Sequence, residues 1–138
     1  MAKISDTPEG IGPHALSILI PEEILLSFDL QQVIENNSEI LFDLLEKQDN
    51  IPRELQGKDV VMNGYLNPST LQSFPLKGKQ CYLYLRRRRW KEKGNVDTKS
   101  YHNEYEFTSS GTMATKAFGA FLKRNSLIAT LSHLAQSL

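Results

Sequence analysis

The run "KQCYLYLRRRRW", Lys79 to Trp90, alternates apolar and polar side chains before it ends in four consecutive arginines and a tryptophan. Successive side chains of a strand point to opposite faces, so Cys81, Leu83 and Leu85 define one face and Tyr82, Tyr84, Arg86, Arg88 and Trp90 the other. The first face belongs to a core, and the second is aromatic and cationic. Lys77 and Gly78 form a turn just ahead, approached by Leu71, Phe74 and Leu76, which makes this the clearest β segment of the chain.

The neighbouring stretches read in the same way. "FDLQQVIENNSEILFDLLEKQ" fits helical spacing through Leu41, Leu44 and Leu45, and strand alternation through Phe28, Leu30, Ile40, Phe42 and Leu44. Asn36 and Asn37, followed by serine, tolerate the left-handed conformations of a tight turn and favour a hairpin with strands near 29–35 and 39–46. Before it, Pro21 suits the first turn of a short helix over 21–28, with Glu22 and Glu23 at its positive end. A loop punctuated by Pro52 and Gly57 leads to "VVMNGYL", either a short strand or an irregular bridge. "YHNEYEF" alternates Tyr101, Asn103, Tyr105 and Phe107 against His102, Glu104 and Glu106, predicting an antiparallel hairpin with the arginine strand. Beyond "TSSGT", which supplies N-cap residues, Phe118, Phe121, Leu122, Ile128 and Leu131 recur at helical intervals and predict a helix from near Met113. Asn125 and Ser126 are candidate interruptions, leaving 127–138 as a second short helix or a frayed tail. The expected fold class is α+β: a small antiparallel sheet of hairpins with a short N-terminal helix and a C-terminal helix. A disordered lead-in over 1–13, one domain over 14–124 and a helical tail over 125–138 complete the expected organisation.

A chain of 138 residues, 40% apolar, has the size and content for one domain with a modest core. No apolar run approaches the roughly 18 residues of a membrane-spanning helix, and "HALSILIPEEILL" lacks the basic start and the length of a signal peptide. A cytoplasmic protein without membrane contact is expected. The single cysteine, Cys81, excludes an internal disulfide and a CxxC zinc pair, and His14, His102 and His133 are scattered, so no metal and no cofactor are expected. The phosphate-cradle, zinc-hydrolase and nucleophile-elbow motifs are absent, so no catalytic residue is expected either. Glu104 and Glu106 read as surface ion-pair partners and His102 as an exposed polar residue.

A net charge of zero conceals a division. Residues 1–76 carry four Lys or Arg against twelve Asp or Glu, and residues 77–138 carry twelve against four, a balance of −8 and +8. Either the basic half presents a nucleic-acid face, or the two halves pack together and neutralise each other. Each guanidinium has five N–H donors and keeps its charge, so four in a row need acceptors, and phosphate is one. Arg86 and Arg88 beside Tyr82, Tyr84 and Trp90 would combine phosphate contact with ring stacking, with Arg87 and Arg89 projecting the other way. Lys91, Lys93 and Lys99 at the hairpin tip and Lys116, Lys123 and Arg124 on the following helix extend this to a duplex-DNA footprint. The plainer alternative pairs Glu104 and Glu106 with Arg86 and Arg88 across the hairpin, at a few tenths of a kcal/mol each, roughly.

Three motifs in order, F-P-L-K-G-K (Phe74 to Lys79), R-R-R-W (Arg87 to Trp90) and G-T-M-A-T-K-A-F (Gly111 to Phe118), resemble the N-terminal region of bacterial insertion-sequence transposases, which some elements encode as a separate short protein. "IPEEILLSF", Ile20 to Phe28, echoes the early segment of that family. The resemblance implies a DNA-binding accessory or N-terminal region of a transposase. Its contacts with element ends would run through Arg86, Arg87, Arg88, Arg89, Trp90, Lys91, Lys93, Thr112, Thr115, Lys116, Lys123 and Arg124. It also implies a catalytic transposase subunit as partner, because the acidic triad of strand transfer is not in this region. The arrangement is more distantly similar to the zinc-ribbon entrance of larger transposases, but the cysteine pair is missing and no zinc site carries over. A complete helix-turn-helix does not fit after Arg124. The rival is a protein-interaction module that docks on a catalytic subunit or forms a homo-oligomer through its acidic and basic halves.

Overall fold

Strand pairing follows the apolar alternation. The structure, a computed structural model, describes residues 16, 18–94, 99–109 and 112–136, with the backbone alone beyond 126; the expected lead-in over 1–13 lies outside these residues. In chain order the elements are α1 (Glu22–Leu25), β1 (Phe28–Glu35), β2 (Glu39–Glu46), a single 3-10 turn (Arg53–Leu55), β3 (Val60–Tyr65), β4 (Ser69–Leu76), β5 (Lys79–Arg86), β6 (Arg88–Glu92) and α2 (Lys116–Gln136). The fold is α+β. Four strands form one sheet in the order β1-β2-β5-β4, and β3 and β6 form a second, two-stranded sheet.

The expected β1–β2 hairpin and the expected turn between β4 and β5 are both present. The β1–β2 turn is held by the Asn36 side chain, whose Oδ1 accepts the N–H groups of Ser38 and Glu39 at 2.9 and 2.8 Å. It does not use left-handed asparagines: among the described non-glycine residues only Lys77 has a positive φ, 54°. Lys77 and Gly78 (φ 75°) make the two-residue β4–β5 turn, whose paired positive φ values match the twist of the flanking strands. Pro75 lies on the edge strand β4, where a missing N–H is tolerated.

The sheet is mixed and not purely antiparallel, because the two hairpins join through a parallel pairing of β2 with β5. That register sets Ile40 beside Cys81, Phe42 beside Leu83 and Leu44 beside Leu85, merging two apolar stripes into one buried face. Leu19, Ile20 and Ile24 cover part of this face, and all belong to the same core. β2 and β4 occupy both edges of β5, so "YHNEYEF" has no edge to pair with and the expected hairpin does not form. Tyr101 alone pairs, exchanging backbone hydrogen bonds of 2.8 and 2.7 Å with Trp90. Residues 102–107 instead cross the core face as an irregular strap anchored by rings. Tyr105 and Phe107 stack with centroids 4.9 Å apart, and lie 5.2 and 6.0 Å from Phe28.

α2 starts later than expected and is unbroken. Thr115 Oγ1 accepts the Phe118 N–H at 3.2 Å and its carbonyl accepts the Gly119 N–H at 2.8 Å, which caps the helix at Lys116. The helix passes through Asn125 and Ser126 to Gln136. Its first turns rest on β4, where Phe74 meets Phe118 and Phe121 at 5.2 and 5.5 Å. A Cβ on Gly119 would lie 2.2 Å from Ser109 Cβ, so the close approach of helix and strap requires glycine there. No described helix is long and apolar enough to cross a membrane.

Leu83, fully buried in the central strand β5, is expected to matter most to stability. Leu83→Ala should lose about 2–5 kcal/mol in a urea titration. Leu122→Ala, on the exposed part of α2, should stay within about 0.5 kcal/mol of the parent.

Candidate functional site

The four arginines lie across the junction of two strands. β5 ends at Arg86 and β6 begins at Arg88, so Arg87 interrupts the alternation and inverts it. The buried positions run Cys81, Leu83, Leu85 and then Arg88 and Trp90. Arg88 and Trp90 therefore do not extend the exposed face of Tyr82 and Tyr84; they point inward, with Arg88 only 6% exposed.

Each arginine has an internal acceptor. Arg86 grips Asp43 with two hydrogen bonds, Nε to Oδ1 at 2.9 Å and Nη2 to Oδ2 at 3.2 Å, and Gln32 donates to the same carboxylate at 3.1 Å. Arg87 Nη1 donates to the Asn103 carbonyl at 3.3 Å and lies 3.8 Å from the Glu104 carboxylate. Arg88 Nε donates to the Glu46 carbonyl at 2.7 Å, while its backbone N–H donates to Glu46 Oε1 at 2.8 Å. Its Nη1 is 3.1 Å from Met62 Sδ. Arg89 Nε donates to the Asn63 carbonyl at 2.7 Å.

Glu46 is the centre of this group and is fully enclosed. Its Oε2 accepts from Asn103 Nδ2 at 3.0 Å and from the Tyr105 hydroxyl. Asn103 Nδ2 also reaches the Asn50 carbonyl at 2.7 Å, and Asn50 Nδ2 donates to the Tyr105 oxygen at 2.5 Å. Burial, and after it the hydrogen bond and charge of Glu46, push the Tyr105 phenol well above its ordinary value. The Cys81 thiol is also pushed up by burial, consistent with a small core residue.

Glu104 and Glu106 do not pair with Arg86 and Arg88 as the hairpin alternative required, because the strap is not registered against β5. Glu104 instead lies 2.6 Å from His102, in addition to its longer contact with Arg87. Acids of the first half replace them. Glu35 meets Lys79 at 2.6 Å and Asp43 meets Arg86; in the reverse sense Lys58 of the first half lies 3.9 Å from Glu92 of the second. The Lys79 ammonium holds the Glu35 carboxyl below its usual value. The acidic and basic halves are thus interleaved in one sheet and are not two units.

The remaining expected site residues divide. Thr115 is buried as the cap of α2, so its hydroxyl is committed to the backbone. Thr112 is half-buried and donates to the Ser109 carbonyl at 2.8 Å. Lys91 is half-buried; Lys93 is exposed in the turn after β6. Lys116, Lys123 and Arg124 are exposed on α2, with Lys123 Nζ 3.3 Å from Ser109 Oγ. Lys99 lies over the Tyr101 ring at 5.1 Å. Among the described residues no group of three or more His, Cys, Asp or Glu could hold a metal ion.

Sequence reasoning missed Asp43, Glu46, Asn103 and Tyr105 as members of this cluster. A signal for Glu46 exists: alternation puts it in line with Phe42 and Leu44, a carboxylate on the core face. No family model, no curated protein and no solved structure matches this chain.

Tyr105→Phe removes a donor from a buried carboxylate and should lower stability by about 1–3 kcal/mol at neutral pH. The raised phenol pKa means that the folded chain keeps a proton that the unfolded chain sheds above pH 10.0. The stabilising contribution of this group should therefore be constant below that pH and be lost as pH rises beyond it. Urea titrations at rising pH should show a shallower alkaline loss in Tyr105→Phe; equal slopes would contradict the buried hydrogen-bonded phenol.

Proposed function

We propose that this chain is a DNA-contacting accessory region of an insertion-sequence transposase, and that α2 and the turn after β6 meet the phosphates while the arginine segment forms the frame behind them. The observation that carries this reading is α2. Over Lys116–Gln136 the helix has no Asp or Glu, exposes Lys116, Lys123 and Arg124, and is exposed on all sides from 120 to 126. A helix with three exposed basic side chains and no Asp or Glu in its own sequence is an electrostatic surface suited to a polyanion.

Contact between two of the motif segments supports the transposase reading. Gln72 in β4 exchanges backbone hydrogen bonds of 2.9 Å with Met113 and Thr115, and the Phe74 ring meets Phe118. The F-P-L-K-G-K strand and the start of the G-T-M-A-T-K-A-F helix thus build one local unit. Strand transfer belongs, on this reading, to a catalytic partner chain or domain, and no cofactor is required here.

A second reading is supported by a different feature of the same helix. Phe121 and Leu122 are 40% and 43% exposed, which suits docking on a protein surface such as a catalytic transposase subunit. On this reading Leu122→Ala weakens capture of that subunit while leaving DNA affinity in place.

Fluorescence anisotropy against a labelled duplex at two salt concentrations tests the DNA reading. Lys123→Ala with Arg124→Ala should weaken binding and reduce the slope of log affinity against log salt by about 2, without changing the melting temperature. Arg88→Ala should instead cost about 1–3 kcal/mol of stability by removing the buried Nε donor from the Glu46 carbonyl. Binding that ignores salt would sink the phosphate-contact proposal.

A further inference from the structure

The core face of the four-stranded sheet is not sealed where the strap crosses it. A pocket of about 260 Å³ opens there, walled by Leu71 and Leu85 from the sheet, by Tyr105 and Phe107 from the strap, and bordered by Arg87 and Met113. Its volume is just under the roughly 300–1,000 Å³ of typical ligand sites, which suits one ring system better than an extended chain.

Its chemistry is uneven in a useful way. The inner wall is apolar and aromatic, with Tyr105 and Phe107 stacked at 16° to each other. The edge holds one cation, Arg87, 3.8 Å from the Glu104 carboxylate; among the described residues it makes one hydrogen bond, a long one of 3.3 Å to a carbonyl, so its guanidinium has donors to spare. Glu104 also lies at this edge, but its side chain is 78% exposed and its shorter contact is to His102 at 2.6 Å. Met113 is 65% exposed on the rim, an unbranched apolar side chain with little beside it. A flat ring carrying an anionic group satisfies wall and edge together.

We propose that this pocket receives an unstacked nucleotide, with its base against Tyr105, Phe107 and Met113 and its phosphate on Arg87. The inference rests on the DNA reading above and deepens it, because Met113 lies three residues before Lys116, at the start of the basic helix. A strand whose phosphates track α2 could place one unpaired base at the pocket mouth. Unpairing is least costly where the nucleotide is already single-stranded, so the ligand class is a strand end or an unpaired tail next to duplex.

The test uses the whole chain with its methionine methyls labelled for NMR, titrated with blunt duplex, with the same duplex carrying an unpaired thymidine tail, and with thymidine monophosphate. The Met113 methyl should shift with the tailed duplex while Met62 does not, and the tail should tighten binding roughly fivefold or more. Arg87→Gln should erase that gain, and Glu104→Gln, at an exposed position, should enlarge it by removing a like charge from the phosphate. Equal affinity for both duplexes with Met113 unmoved would overturn the pocket proposal and leave the α2 reading standing. No binding of either duplex at low salt, with no response to the monophosphate, would overturn both. A Met113 shift from the monophosphate alone would assign a free nucleotide and overturn the strand-bound form.

Discussion

Glu46 closes β2 with a carboxylate that no solvent reaches, and three stretches of chain, at Asn50, at Arg88 and in the strap, converge to supply its hydrogen-bond donors and its neighbours. A buried carboxylate without partners costs several kcal/mol, roughly, and here Arg88, Asn103 and Tyr105 meet it directly while Asn50 braces the last two. This requirement explains the path of the chain beyond β5. The Arg88 backbone N–H meets the carboxylate and its inward-turned side chain meets the Glu46 carbonyl, while the alternation inverts at Arg87 and β6 leaves the main sheet to pair with β3. The strap is drawn over the core by the same group, because Asn103 and Tyr105 are two of its donors.

The arginine run therefore serves two purposes at different positions. Arg86 and Arg88 bind the acidic first half to the basic second half, in half-buried and buried settings where the donors find fixed partners. Arg89 fastens β6 to β3 through the Asn63 carbonyl. Only Arg87, at the break between strands, has a long single bond and a place at a pocket mouth. α2 and the turn after β6 carry exposed positive charge with Lys93, Lys116, Lys123 and Arg124, which supports a division between a braced sheet and a basic helix.

Much of the sheet was legible because local signals agreed with the global arrangement. The Lys77-Gly78 turn, the Asn36 turn and the alternation of β2 and β5 each specify a neighbour a few residues away. The strap was misread for the opposite reason. "YHNEYEF" carries a faithful strand pattern, but both edges of β5 were taken by segments whose claim on them is not visible from the strap itself. Within the site, Arg86 and Arg87 were placed on opposite faces correctly, whereas Arg88 and Trp90 were assigned outward because a period of two was carried through a residue that breaks it.

By itself the sequence determined the α+β class, the two tight hairpins, which residues of β2 and β5 are apolar enough to form a core, and a C-terminal helix, whose start it put near Met113. These rest on side-chain periodicity and turn chemistry, which act over a few residues. Only the tertiary structure decided that the hairpins join in parallel, that Asp43 and Glu35 of the first half receive Arg86 and Lys79 of the second, and that a strand-like segment becomes a ring-anchored strap. Those outcomes depend on competition for sheet edges and on donors for one buried carboxylate, and such competition is settled among segments about 40–60 residues apart, where loop closure costs little more for one partner than another.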